Sequence, residues 1–200
     1  MVPAEGMVPA AVLPADRPMR ADARRNRGRL IAAAREAFTE HGAEAPLDDV
    51  AKRAGVGPGT LYRHFPTREA LLAAVYLDDI EALAVQANRL IESGLPPDEA
   101  LAAWLLLQLD YVKIKRGLGA AVKAMLGVDA PTMTYCRDVM RGALNRLMEP
   151  AKAAGTIRPD VEQADVLRLT HGVAMACESA PDDSVRLMGY VIDGLRPQSR

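Results

Sequence analysis

The densest set of side chains able to do chemistry lies in Leu47–Phe65, which reads LDDVAKRAGVGPGTLYRHF. Thr60, Tyr62, Arg63 and His64 put hydrogen-bonding groups at successive positions around Leu61 and Phe65, two apolar residues one helical turn apart. On a helix held inward by Leu61 and Phe65, Thr60 and Arg63 are expected to face outward, with Tyr62 and His64 on the flanks. A guanidinium fork and a hydroxyl suit base edges, whereas flanking hydroxyl and imidazole groups suit phosphate oxygens. Such readout needs two short helices crossing sharply, with glycine in the turn and the second helix free to enter the major groove. Gly55 can make that turn, and Val56 can plug the gap between the helices. Gly57 and Gly59 remove bulk where the helix start would approach a DNA backbone. Upstream, Arg17, Arg20, Arg24, Arg25, Arg27 and Arg29 face a single acid, Asp22. The chain's net charge is only −1, but electrostatic footprints are local, so this segment is expected to bring Arg24, Arg25 and Arg27 to phosphates.

Other chemistries find little support. No Ser/His/Asp or Cys/His set can be assembled and no cofactor loop occurs, so no enzyme is expected and no cofactor. The two cysteines, Cys136 and Cys177, form no CxxC pair and have no metal-ligand spacing. A zinc site or disulfide framework is therefore not expected, and a reducing cytoplasm fits best. Asp78-Asp79-x-Glu81 has the look of an acidic magnesium cluster, but such a site needs a second acidic cluster across a pocket. The run is read as a charged helix face. No apolar stretch approaches the ~20 residues that span a bilayer, so no membrane partner is expected. The first 19 residues are rich in Pro and Ala and lack a basic leader, so they are read as a disordered tail and not a signal peptide. Met7 and Met19 are alternative starts.

Positioning these groups falls to helices. Half the residues are apolar, helical periodicity dominates and strand alternation is nearly absent. Leu30, Ile31, Ala34 and Phe38 mark one face of a first helix over 24–41, stopped by Gly42. A second helix runs over 47–54, and a third from Pro58 to His64 or Phe65. Thr67 is placed to N-cap a long fourth helix reaching about Ser93. Beyond Gly94, helices are expected over 96–116, 118–126, 131–153, 162–179 and 183–195. The predicted fold is all-α: a tail over 1–19, a three-helix helix-turn-helix domain over 20–66, and a C-terminal helical bundle over 67–200. Helix 67–93 links the two domains.

From Arg24 to Leu72 the chain resembles the DNA-binding domain of TetR-family regulators. The resemblance rests on Phe38-x-x-x-Gly42, on Leu47-x-x-Val50-Ala51-x-x-Ala54-Gly55-Val56, on Gly59-Thr60-Leu61-Tyr62-Arg63-His64-Phe65, and on Arg68-Glu69-x-Leu71-Leu72. It spans about a quarter of the chain. It implies a regulator of transcription, a repressor released from a palindromic double-stranded operator by a small molecule. Tyr62, His64, Thr67 and Arg68 would clamp phosphates, and Thr60 and Arg63 would face bases. Pro46 stands where the family usually has Ser or Thr, and Gly57-Pro58 replaces a usual polar pair, so contacts there would come from backbone or from Thr60. A constitutive or partner-controlled DNA binder is the alternative, and a helical enzyme a remoter one.

The last two predicted helices are apolar on more than one side and must be covered on several faces. A two-fold four-helix bundle between subunits would cover them, which predicts a homodimer through Leu167, Val173, Met175, Met188, Val191, Ile192 and Leu195. Trp104, Tyr111, Met125, Met133, Tyr135, Met140, His171 and Met175, with Cys177, are the candidate lining of an effector pocket. Each of these also serves as plain core elsewhere, His171 in particular as a hydrogen-bonded core histidine. Methionines adapt to irregular cavities and few charges fall between Leu101 and Leu109, so the effector, of unknown identity, is expected to be largely apolar.

Overall fold

Leu30, Ile31, Ala34 and Phe38, the apolar stripe of the first helix, are all buried. They organise a computed structural model that describes residues 16–114, 121–122, 124, 127, 131–177, 180 and 182–197. Eight helices are named here: α1 (Asp16–His41), α2 (Leu47–Arg53), α3 (Pro58–His64), α4 (Arg68–Glu92), α5 (Pro97–Ile114), α6 (Pro131–Ala153), α7 (Gln163–Ala176) and α8 (Asp183–Leu195). No strand occurs among the described residues, and no helix there is long and apolar enough to cross a membrane.

Two boundaries differ from the sequence expectation by more than one residue. α1 starts at Asp16 rather than Arg24, taking in residues 16–19 of the expected tail. Pro18 falls in the first turn, where a backbone nitrogen has no intrahelical partner to lose, so nothing breaks the helix before His41. α7 stops at Ala176, three residues short of 179, with Cys177 as its cap. The helix expected over 118–126 lies mostly outside the described residues; Ala121, Val122 and Ala124 are helical.

Two hydrophobic cores share one helix. The first joins α1, α2 and α3 to Leu71, Leu72 and Val75 of α4, and includes Val122 and Met133. The second gathers α5, α6, α7 and α8 around Ile80, Leu83 and Ala87 of α4. At its centre Trp104 is fully buried, its indole N–H donating to the Leu83 carbonyl at 2.9 Å. α4 is capped by Thr67, whose hydroxyl accepts from the Ala70 N–H at 3.2 Å. Its 25 residues make a rod of about 38 Å that belongs to both cores.

The acidic run on α4 is a charged face whose groups are paired: Asp78 and Glu81 are exposed and Asp79 lies inward of them. Arg35 of α1 donates from Nε to Asp79 Oδ1 at 2.6 Å and from Nη2 to Asp78, while Tyr135 donates its hydroxyl to Glu81 at 3.1 Å. Asp79 is buried. Burial opposes the charge on Arg35, but the hydrogen bonds and negative charges of Asp78 and Asp79 raise its pKa above the ordinary value. Asp78 and Asp79 therefore fasten α1 to α4, and no group of three or more His, Cys, Asp or Glu among the described residues is placed to hold a metal ion.

Candidate nucleic-acid interface and adjoining cleft

The short helices α2 and α3 have no side-chain cap at their starts, where Pro46 and Gly57 stand. Their placement is left to packing, through buried Val50 and Ala51 on α2 and Leu61 on α3, with Phe65 just beyond. Between them Gly55 has a φ of +62°, in the left-handed region that side chains disfavour. Arg29 donates to its carbonyl at 3.3 Å. Glu40 accepts two hydrogen bonds from Arg53, at 2.9 and 2.6 Å, tying α1 to α2.

With Leu61 inward, about 100° per residue puts Gly59 and Arg63 opposite it and Thr60 and Tyr62 on the two flanks. Burial follows that geometry: Gly59 and Arg63 are exposed, Tyr62 is exposed and Thr60 half-buried. The outward stripe is thus Gly59–Tyr62–Arg63, and the expectation of Thr60 at its centre is corrected to a flank. His64 is half-buried, its ring centroid 6.4 Å from that of Phe65. Neither Gly57 nor Gly59 has a protein atom within 4 Å of where a Cβ would stand. Nothing in the chain itself calls for glycine at either position.

Around this helix sit the basic groups. Arg24, Arg25 and Arg27 are exposed; Arg25 pairs with Asp22, and Arg27 lies over the Phe65 ring at 5.5 Å, beside the end of α3. Thr67 is exposed at the start of α4. Arg68 has a structural task, since its Nη1 donates to the carbonyls of Ala43 at 2.9 Å and Ala45 at 2.6 Å, holding the turn before α2.

In the second half of the chain, α4, α5, α6 and α7 enclose a cleft of about 380 Å³. Of the residues expected to line it, Tyr111, Met140 and His171 do so. Trp104 and Met133 are plain core, one in each cluster. Tyr135 is exposed and bonded to Glu81, Met175 is exposed away from the cleft, and Cys177 is buried elsewhere. Met125 lies outside the described residues. Sequence reasoning missed Tyr76, Ile80, Gln108 and three arginines, Arg137, Arg141 and Arg168, that also line the cleft. Cys136 lines it too. Burial, with the Glu81 charge adding, pushes its thiol up to about 11, so it stays protonated at neutral pH and is no nucleophile. Burial and the charge of Asp79 likewise raise the pKa of the Tyr111 phenol.

The expected dimer residues divide. Met188 and Leu195 are buried within the chain's own second core, and Val173, Val191, Ile192 and Leu167 pack against it half-buried. Leu167 also lines the cleft. Met188, Ile192 and Leu195 recur at helical spacing, and that stripe of α8 packs on its own bundle, with Met188 and Leu195 buried and Ile192 half-buried. Met175 is 52% exposed, and its neighbours in exposure are Leu169, Val185 and Tyr190. Leu169 and Tyr190 border an open groove of about 500 Å³ between α7 and α8.

Comparison with known proteins bears on both halves. Residues 30–75 match the family described as bacterial regulatory proteins, tetR family. Residues 96–197 match the C-terminal domain described as transcriptional regulator SbtR-like. The HTH-type transcriptional regulator UidR of Escherichia coli K12 is 39% identical over 187 residues, covering 89% of this chain and 93% of that protein. A TetR transcriptional regulator of Streptomyces coelicolor is 38% identical with a TM-score of 0.73, covering 86% of this chain and 99% of the other. A TetR transcription regulatory protein of Mycobacterium vanbaalenii is 33% identical with a TM-score of 0.69, covering 90% of this chain and 100% of the other.

Proposed function

The chain belongs to the TetR family of DNA-binding transcriptional regulators, and from that premise we propose that it is a homodimeric repressor of a palindromic operator, released by a small molecule held in the α4–α7 cleft. It is a regulator and not an enzyme. One observation carries the DNA reading. Buried Leu61 and Phe65 pin a seven-residue helix so that Gly59, Tyr62 and Arg63 form its exposed stripe. Arg63 reads a base edge with its fork, and Thr60 contributes from the flank. Tyr62, His64 and Thr67 take phosphates, joined by Arg24, Arg25 and Arg27 from α1. Gly57 and Gly59 let the backbone close on the helix start. Arg68 supports the interface by fixing the turn at Ala43 and Ala45.

Release follows from the sharing of α4. Tyr76 and Ile80 of this helix line the cleft, Asp78 and Asp79 between them grip α1 through Arg35, and Thr67 at its start faces the DNA side. A ligand that shifts the cleft wall moves the rod and, through Arg35, the helix that carries the recognition unit. A hundredfold release requires the ligand to favour the DNA-incompetent form by about 2.7 kcal/mol, an ordinary coupling energy. The dimer places two recognition helices about one DNA turn apart, or a small multiple of it. As a DNA binder the protein works in the cytoplasm.

Selection of bound sequences from a random double-stranded pool, with wild type and Arg63→Ala in parallel, tests the reading. The wild type should return a two-fold symmetric motif. The variant should bind the best site about 1–3 kcal/mol more weakly and accept other bases at one position per half-site. An unchanged motif in Arg63→Ala overturns the assignment.

A further inference from the structure

We propose that the ligand of the α4–α7 cleft is an organic acid: an apolar body whose carboxylate is held by Arg137 and Arg141, and whose buried end carries a hydroxyl or carbonyl for Gln108 and Tyr111. The proposal rests on the reading of this cleft as the effector site and names the chemistry of its occupant. Twelve residues line the cleft, three of them arginines, and no Asp or Glu is among them. Arg137 and Arg141 stand one helical turn apart on α6, and Arg168 faces them from α7 with His171 one turn further on. All three arginines are exposed at the mouth; Arg168 is paired with Asp165 at 2.8 Å, and Arg137 donates to Thr134 at 3.1 Å with guanidinium donors to spare for a ligand's anion.

Surface arginines alone would mean little; the floor supplies the second observation. Gln108 is only 7% exposed, and its side-chain oxygen has no hydrogen-bond partner. The hydroxyl of Tyr111, one turn along α5, is likewise buried and unpartnered. A buried polar atom left without a hydrogen bond is costly, so two that line one cavity call for a partner that has both donors and acceptors. Between floor and mouth the wall is apolar, made by Ile80, Met140 and Leu167. Polar floor, apolar wall and cationic mouth together describe an amphipathic acid of ordinary effector size, since small-molecule sites run from ~300 to ~1,000 Å³. Of the carboxylates near the cleft, Asp79 is held by Arg35 and Asp165 by Arg168.

The test is a fragment set of matched pairs, each aromatic or aliphatic carboxylic acid beside its own carboxamide, followed by ligand-observed NMR against the full chain. The same set is run against Arg137→Gln/Arg141→Gln and against Gln108→Leu. Acids should bind about tenfold or more tightly than their amides, as expected for a charge-assisted hydrogen bond. The double arginine variant should erase that preference while leaving the circular dichroism spectrum unchanged. Gln108→Leu should weaken hydroxy acids and spare their deoxy counterparts. Acids should also lower the affinity of the wild type for its selected DNA. Equal binding of acids and amides, acid binding unaltered in the arginine variant, or no fragment binding at all overturns the proposal. Wild type that selects a DNA motif yet shows any of these outcomes loses only the ligand class; wild type that selects no motif fails the regulator reading first.

Discussion

Two surfaces of this chain are built in opposite ways. On α3 the one large aliphatic side chain, Leu61, points inward and no aliphatic side chain of that size is exposed, the outward positions being Gly59, Tyr62 and Arg63. On α7 and α8 the exposed positions include Leu169, Met175, Val185 and Tyr190, while Asp165–Arg168 and Asp183–Arg186 pair among themselves. Arg186 also lies 6.0 Å from the Tyr190 ring. A surface whose charges are already neutralised and whose apolar groups are open suits a partner that removes water; a surface of open donors suits one that supplies acceptors. The proposed second copy and the proposed operator are the two partners with those properties. They are linked, because the apolar face sets the spacing at which the polar face meets DNA.

The largest effect should come from breaking the apolar surface. Leu169→Asp/Tyr190→Asp puts unpaired charges where a second chain would cover them. Light scattering should show the mass fall from dimer to monomer, and operator affinity should drop about 10²–10⁴-fold as two-site binding is lost. Both residues are exposed in the single chain, so each monomer should stay folded. A wild type that is monomeric in solution, or a variant that remains dimeric, refutes the assignment of this face.

That same contrast explains what could be read from residue order. The recognition unit is local: its glycine turn, its two inward anchors and the Thr67 cap lie within 20 residues of one another, and helical spacing alone orients them. The second half depends on which helix meets which. Trp104, Met133 and Met175 have similar residue chemistry, yet one centres a core, one belongs to the other core, and one is exposed. Nothing in their own neighbourhoods separates those fates. Asp79 is the sharpest case, because its partner Arg35 lies 44 positions away on α1. The arginines at 137, 141 and 168 are ordinary helix-surface residues until α6 and α7 are set face to face. The triplet spacing of Met188, Ile192 and Leu195 was the signal, visible in advance, that α8 spends one stripe on its own bundle.

An intermediate effect should come from the joint between the two halves. Arg35→Met removes both hydrogen bonds from α1 to α4 and leaves the buried carboxylate of Asp79 without this cation. Arg35 is itself a third exposed, so the cost should be about 1.5–3 kcal/mol, the range for a hydrogen bond to a charged group and below that of a fully buried pair. Urea unfolding measures it through the midpoint at constant slope. A midpoint equal to the wild type's would show that the pair adds nothing to the joint, and the route proposed for release through α1 would fall with it.

The smallest effect isolates the recognition helix from its own stability. Gly57 occupies the N-cap of α3 with a φ of −75° and a ψ of 154°, extended values that serine adopts freely, and no protein atom lies within 4 Å of the added Cβ. Gly57→Ser therefore gives α3 the side-chain cap it lacks, with a hydroxyl in reach of the Pro58–Thr60 turn. Replacing glycine by serine at an N-cap is worth only a few tenths of a kcal/mol, with a similar gain from a stiffer unfolded chain. The unfolded-state gain and the cap act in the same direction, so the unfolding midpoint should rise slightly. DNA affinity should move the other way, because the new side chain occupies the space into which the backbone of the operator is proposed to fit. Opposite signs in the two measurements would show that glycine is kept here for the partner and not for the fold. A variant that is more stable and binds DNA as tightly as the wild type would remove Gly57 from the interface and shift the close approach to Gly59.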